Sequence, residues 1–226
     1  MTGIPIVLVP GAGGAGWYWH LVEADLRAQG FDAFAVDLPT GDDARGLAEY
    51  ADTVAEAIGG RGPVVIAAQS LGGFVAPLVA RRVPTRMIVL VSAMVPLPGE
   101  TPGEWSDAVG STQARLDAAA RGGWSPEFDD SFFTHDLPED LARAMTLHDG
   151  PQSEAVFAQP CAFDAWPDVP VHAITGCDDR IFPIDLQRRV TRERLGIEPD
   201  VVAGGHLATL SHPGEIAALI ASYLAR

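Results

Sequence analysis

The chain contains no lysine; all fifteen of its basic residues are arginine. No side-chain amine can form a Schiff base with a carbonyl substrate or with pyridoxal phosphate, and no Walker-type loop can set a lysine on a phosphate. Cysteine is nearly as scarce. Cys161 and Cys177 supply neither a disulfide framework nor the ligand spacing of a zinc site, so no metal is expected. Basic residues are outnumbered by 30 acidic ones, for a net charge of −15. An acidic field of that size repels phosphate, which argues against nucleic acid and anionic membrane surfaces as partners. No apolar run reaches the ~18 residues of a membrane span. The first run, residues 4–9, is too short for a signal peptide and has no basic residue before it. The expectation is a soluble, cytoplasmic protein.

What is present is an apolar fraction of 47% in 226 residues, enough for one large domain or one domain with an insertion. Short runs apolar on both faces occur at 4–9, 31–37, 64–69, 87–93, 171–176 and 200–203. Such runs, rich in Val and Ile, suit strands of a parallel sheet covered by helices. Helical periodicity falls between them, at 17–29, 47–58, 71–82, 184–195 and 213–224. In the last, Ile216, Leu219, Ile220, Tyr223 and Leu224 make one apolar stripe. Alternating strands and helices predict an α/β fold with a doubly wound, mostly parallel six-stranded sheet. The alternation stops over 95–168, which is bounded by prolines and contains helical pieces at 112–120 and 139–147 but no strand pattern. That stretch holds Trp105, Trp124 and Trp166 and the pair Phe132–Phe133. It reads as a helical cap over the carboxyl edge of a core formed by 1–94 and 169–226.

The third strand runs V-V-I-A-A-Q into Ser70, then Leu71, Gly72, Gly73 and a helix. A Ser on so tight a strand-to-helix turn is lifted above the sheet edge, and its neighbours two residues away must be small. Ala68 stands where G-x-S-x-G has its first Gly. A nucleophilic Ser needs a base, and the base needs an acid to orient it. His206, in A-G-G-H-L after the last strand, is the expected base. The acid should end the preceding strand, where T-G-C-D-D-R-I-F-P offers Asp179 and, as fallback, Asp178. Asp179 fits better the pattern G-x-x-D-x-x-x-P formed by Gly176 and Pro183. Of the remaining histidines, His20 and His148 read as helix-surface positions, His172 as a strand residue and His212 as a helix start. His135 reads as structural or facing the pocket.

The first loop reads V-P-G-A-G-G-A-G-W-Y-W. Its backbone can come close to a reacting carbon, and Ala12 N–H together with Leu71 N–H is the expected oxyanion hole. Gly11, Gly13 and Gly16 also spell the dinucleotide fingerprint G-x-G-x-x-G, with Asp37 about where a ribose-binding acid would stand. Trp17, Tyr18 and Trp19 crowd that helix start, and a nicotinamide-dependent oxidoreductase would leave Ser70, Asp179 and His206 without a purpose. No cofactor is therefore expected.

Together, V-P-G-A-G-G-A-G-W-Y-W, A-Q-S-L-G-G and G-G-H-L-A-T-L-S-H-P resemble the α/β-hydrolase superfamily over nearly the whole chain. The closer resemblance is to the branch of plant methylesterases and hydroxynitrile lyases, with their bacterial esterase relatives. The resemblance implies a six-stranded core, a helical cap and often a homodimer. Pro10 departs from it, because the branch usually has His before Gly11. Its lyases carry a Lys directly after the catalytic His and a Thr at the place of Gly11. Here Leu207 follows His206, so ester hydrolysis is expected over cyanohydrin cleavage. The apolar candidate residues of the pocket make a small apolar ester or lactone the expected substrate. The candidate pocket walls are Gly11, Trp17, Met94, Trp105, Trp124, Phe132, Phe133, His135, Phe157 and Leu207. A non-hydrolytic binding protein on the same fold is the remaining alternative.

Overall fold

The computed structural model describes residues 3–225; residues 1, 2 and 226 of the expected core lie outside them. Six strands form one sheet, and every adjacent pair in it is parallel. They are β1 Pro5–Val9, β2 Asp32–Ala35, β3 Val64–Gln69, β4 Thr85–Val91, β5 Val171–Gly176 and β6 Asp200–Val202. Their spatial order is β2-β1-β3-β4-β5-β6.

Successive side chains on a strand point to opposite faces, so each strand feeds two cores. Val7, Val9, Ile66, Ala68, Ile88 and Leu90 join the core on one face, beneath α2 (Leu47–Ile58), α3 (Gly72–Ala80) and α8 (Ile184–Leu195). Ile6, Leu8, Val65, Ala67, Met87 and Val89 join the other, beneath α1 (His20–Ala28) and α10 (Pro213–Leu224). This two-sided burial is why β1 and β3 read as nearly unbroken apolar runs.

The first and sixth strands differ from their predicted limits by one residue each, and two others differ by two residues at an end for identifiable reasons. Pairing of β2 with β1 ends at Ala35, after which Asp37 turns its carboxylate onto the N–H of Gly16 (2.8 Å). The fourth strand ends at Val91 because Ser92 takes φ +43°, and it begins early because Thr85 pairs with Val64. The start of the first predicted helix is a 3-10 turn, Gly16–Trp19, that tucks the fully buried Trp19 under β1, its Nε1 donating to Val9 O (3.1 Å).

Between β4 and β5 the described residues hold helices only: α4 Pro102–Ala108, α5 Ser111–Gly122, α6 Ser131–Thr134, α7 Glu139–His148 and a 3-10 turn at Glu154–Ala158. A bidentate pair fastens this insertion to the sheet half. Arg194 on α8 meets both carboxylate oxygens of Glu100 (2.5 and 2.9 Å) and also donates to Val95 O (2.6 Å). After β6, a short α9 (Ala208–Ser211) precedes α10. No helix of the described residues is long and apolar enough to cross a membrane.

The chain leaves β1 to one side, for β2, and returns on the other side as β3. The loops after β1 and β3 therefore diverge and open a crevice at their carboxyl ends, the position where doubly wound sheets bind ligands.

Candidate active site

Ser70 and Gly11 face each other in that crevice. Ser70 holds φ +51°, in the left-handed region that costs a residue with a side chain about 1–3 kcal/mol. The surroundings enforce it: Ser70 N–H donates to Val91 O (3.3 Å), and Ser70 O accepts from Gly73 N–H and Met94 N–H (both 3.0 Å). A Cβ on Gly72 would stand 2.6 Å from Pro10 O, so only Gly lets the turn pass this close to β1. A Cβ on Gly11 would stand 2.8 Å from Ser70 Cβ. The absent side chain at Gly11 keeps the hydroxyl open.

The Ser70 hydroxyl lies 3.0 Å from His206 Nε2, and His206 Nδ1 lies 2.9 Å from Asp179 Oδ2. The carboxylate can only accept, so Nδ1 carries the proton and Nε2 is left as the acceptor for the hydroxyl. Asp179 is held in turn by the N–H groups of Ile181 (2.8 Å) and Phe182 (2.9 Å) on its other oxygen. The pairing distinguishes the two adjacent acids, since Asp178 accepts instead from the Cys177 thiol and its N–H donates to Gly204 O. Asp179 and His206 are both buried, and Phe182 and Phe133 stand edge-on to the imidazole at 5.2 and 5.9 Å. Gln69 is a residue that motif reading passed over. Its Nε2 donates to His206 O (3.1 Å), and the only signal was a polar side chain ending an apolar strand.

A cavity of about 310 Å³ opens beside Ser70. Of the candidate residues, Gly11, Ala12, Ser70, His206, Leu207 and Phe133 line it, together with Tyr18, Phe128, Met145, Ile181 and the acidic residues Asp130 and Asp149. Among the described residues, no arginine lines it. Among the described residues neither Ala12 N–H nor Leu71 N–H donates to a protein acceptor; Ala12 lines the cavity and Leu71 directly follows Ser70. Tyr18 hydrogen-bonds Asp149, joining the loop after β1 to the end of α7. Burial, reinforced by that carboxylate, raises the Tyr18 pKa, so the phenol remains a neutral donor.

The other candidate wall residues stand elsewhere. Trp105 is buried against Phe182 (5.0 Å), its Nε1 donating to Val95 O. Met94 lies in the core behind the turn, and Phe157 packs on the same cluster. Phe132 is buried against Phe128. These side chains find apolar cover inside the insertion or the core, where a ring buries more surface than it would on a cavity wall. Trp17 stacks between the rings of His20 and His148. Trp124 and His135 line a second cavity, of about 420 Å³, bordered by Asp178 and Asp179. His212 immediately precedes α10, and His172 lies on β5, stacked on Tyr223 at 4.0 Å. Asp37, placed where a ribose-binding acid would stand, instead accepts from Gly16 N–H, tying the segment after β2 to the turn after β1.

Comparison with known proteins agrees with this architecture. The alpha/beta hydrolase family model matches residues 6–219. The chain is 30% identical to a "probable hydrolase R7" of a Phoma species, covering 98% of each chain. It is 27% identical to Methylesterase 7 of Arabidopsis thaliana, over 95% of this chain and 94% of that one. An extracellular alpha/beta-hydrolase from a Paenibacillus species superposes with a TM-score of 0.77 at 17% identity, covering 97% of this chain and 98% of that one. With a six-stranded parallel sheet, a serine on the turn after β3 and a family match over nearly its full length, the chain belongs to the alpha/beta hydrolase family.

Proposed function

We propose that the protein is a serine carboxylesterase acting on small, neutral, largely apolar esters or lactones. The observation that carries this reading is the unbroken chain Ser70–His206–Asp179, which opens on a cavity beside two free backbone N–H groups. In the proposed reaction His206 Nε2 takes the proton of Ser70 as Oγ attacks the ester carbonyl. Asp179 holds the imidazole in its tautomer and stabilises the imidazolium. Ala12 N–H and Leu71 N–H receive the oxyanion. His206 then protonates the departing alcohol and activates water to release the acid.

The substrate class rests on the cavity. At about 310 Å³ it is at the small end of ligand sites, and its side chains are mostly apolar. Two acidic residues in the lining, with no arginine among the described lining residues, disfavour an anionic substrate. The insertion supplies Phe128, Asp130, Phe133, Met145 and Asp149 to the lining, which is the part of a cap. The esterase reading is in keeping with the methylesterase relative, and Leu207 directly after His206 leaves no cation for a leaving cyanide.

The test is a panel of p-nitrophenyl esters varied in acyl size. Ser70→Ala is expected to lower kcat by about 10⁴–10⁶-fold with its melting temperature unchanged. Parental turnover by folded S70A overturns the reading.

A further inference from the structure

Asp136 lies in the turn between α6 and α7, in the insertion, yet it bonds to the sheet half. Its Oδ2 accepts from Gly205 N–H (2.6 Å) and from Ser211 Oγ (2.7 Å). Gly205 directly precedes His206, and Ser211 ends α9, the helix that follows it. One carboxylate oxygen therefore ties together both flanks of the segment that presents the imidazole. His212 Nδ1, 3.0 Å from Ser211 Oγ, extends the network to the start of α10.

The approach leaves no slack. A Cβ on Gly205 would stand 2.7 Å from His135 Cε1 and 2.9 Å from Asp136 Oδ1, so the insertion rests directly on the backbone beside His206. The second oxygen, Asp136 Oδ1, is buried without a hydrogen-bond partner among the described residues. Burying a carboxylate with one oxygen unsatisfied is costly, so the residue's value lies in the two bonds it makes.

The base must hold two bonds at once, to Ser70 at 3.0 Å and to Asp179 at 2.9 Å. From within the sheet half, Gln69 fixes the carbonyl of His206. Asp136 fixes the N–H of the residue just before it, from the insertion. We propose that Asp136 is a positioning residue for His206, so that the imidazole stands between Ser70 and Asp179 only while the insertion is seated. The inference rests on the esterase reading above and deepens it.

The test compares wild type, Asp136→Ala and Asp136→Asn at a temperature where all remain folded. It reads kcat and KM for a p-nitrophenyl ester and the rate at which a fluorophosphonate labels Ser70. Asp136→Ala frees both donors. It is expected to lower kcat and the labelling rate together by about 10²-fold, the effect of misplacing a reacting group by roughly 1 Å, with KM within about 3-fold of parent. The amide oxygen of Asp136→Asn can accept both bonds, so this variant should restore kcat to within about 5-fold of parent.

A folded Asp136→Ala with parental kcat and labelling rate overturns the positioning role. So does an Asp136→Asn as slow as Asp136→Ala. If Asp136→Ala does not fold, Asp136→Glu decides. It keeps the charge but moves the oxygens by one methylene, and is expected to lower kcat about 10-fold at unchanged KM; parental kcat overturns the role. A wild-type protein that neither hydrolyses the esters nor takes the label overturns the esterase reading itself, a result distinct from equal labelling of wild type and variant.

Discussion

The sheet half and the insertion are built by different rules. Every residue of β1 and β3 is buried, and from Ile6 to Val9 and from Val64 to Ala68 their side chains alternate between two cores. The insertion leaves Leu97, Leu116, Phe128 and Leu147 exposed, and several of its ties to the sheet half are polar: Glu100 to Arg194, Asp136 to Gly205, Asp149 to Tyr18 and Gln152 to Gly13. Ser70, Asp179 and His206 all stand on turns of the sheet half, whereas five of the side chains lining the cavity come from the insertion. The proposed chemistry thus belongs to one region and the proposed selectivity to the other, with Asp136 as a joint between them.

The comparison can be broken at several points. The largest effect is expected from Asp179→Asn in the sheet half. The amide can donate to Nδ1 and favours the wrong imidazole tautomer, so kcat should fall by about 10⁴-fold with little change in KM. Steady-state kinetics on the ester panel checks this, and a loss below about tenfold would detach Asp179 from the chemistry. Next is Arg194→Leu at the seam. Both side chains of the Arg194–Glu100 pair are at least nine-tenths buried, so removing the cation strands a buried carboxylate and should cost about 3 kcal/mol in chemical denaturation. If the insertion is held mainly by apolar packing, the loss will be under about 1 kcal/mol. The smallest effect is expected from Phe133→Ala in the insertion. It widens the cavity beside His206 and should shift the ratio of kcat/KM between bulky and small esters by about 10-fold. An unchanged ratio would remove Phe133 from the selection of substrate.

The same division explains what was legible in the sequence. Strands β1 and β3, buried on both faces, have to be apolar almost throughout, whereas β2 and β6 are partly exposed at the sheet edges and read as strands from shorter apolar runs; the errors lie at strand ends, among them those set by pairing and by the positive φ of Ser92. Ser70, His206 and Asp179 were readable as candidates because a tight turn demands small neighbours and the chain order of strand ends constrains the partners. The helix α4 was missed although its signals were present. Pro102 stands at its first turn, and Thr101 and Glu104 form a reciprocal capping box. The cavity walls were the least legible. An aromatic side chain is equally at home in a core or on a wall, and which it joins depends on how the short helices pack. Trp105 went to the core, while Tyr18 and Phe128 went to the cavity.

The central claim is that Ser70 is a nucleophile activated by His206. Intact-mass analysis after treatment with a fluorophosphonate, followed by peptide mapping, tests it most directly. One adduct per chain is predicted, on Ser70, absent from Ser70→Ala and strongly slowed in His206→Ala. An unlabelled wild-type chain, or an adduct on another residue that persists in Ser70→Ala, would contradict the claim.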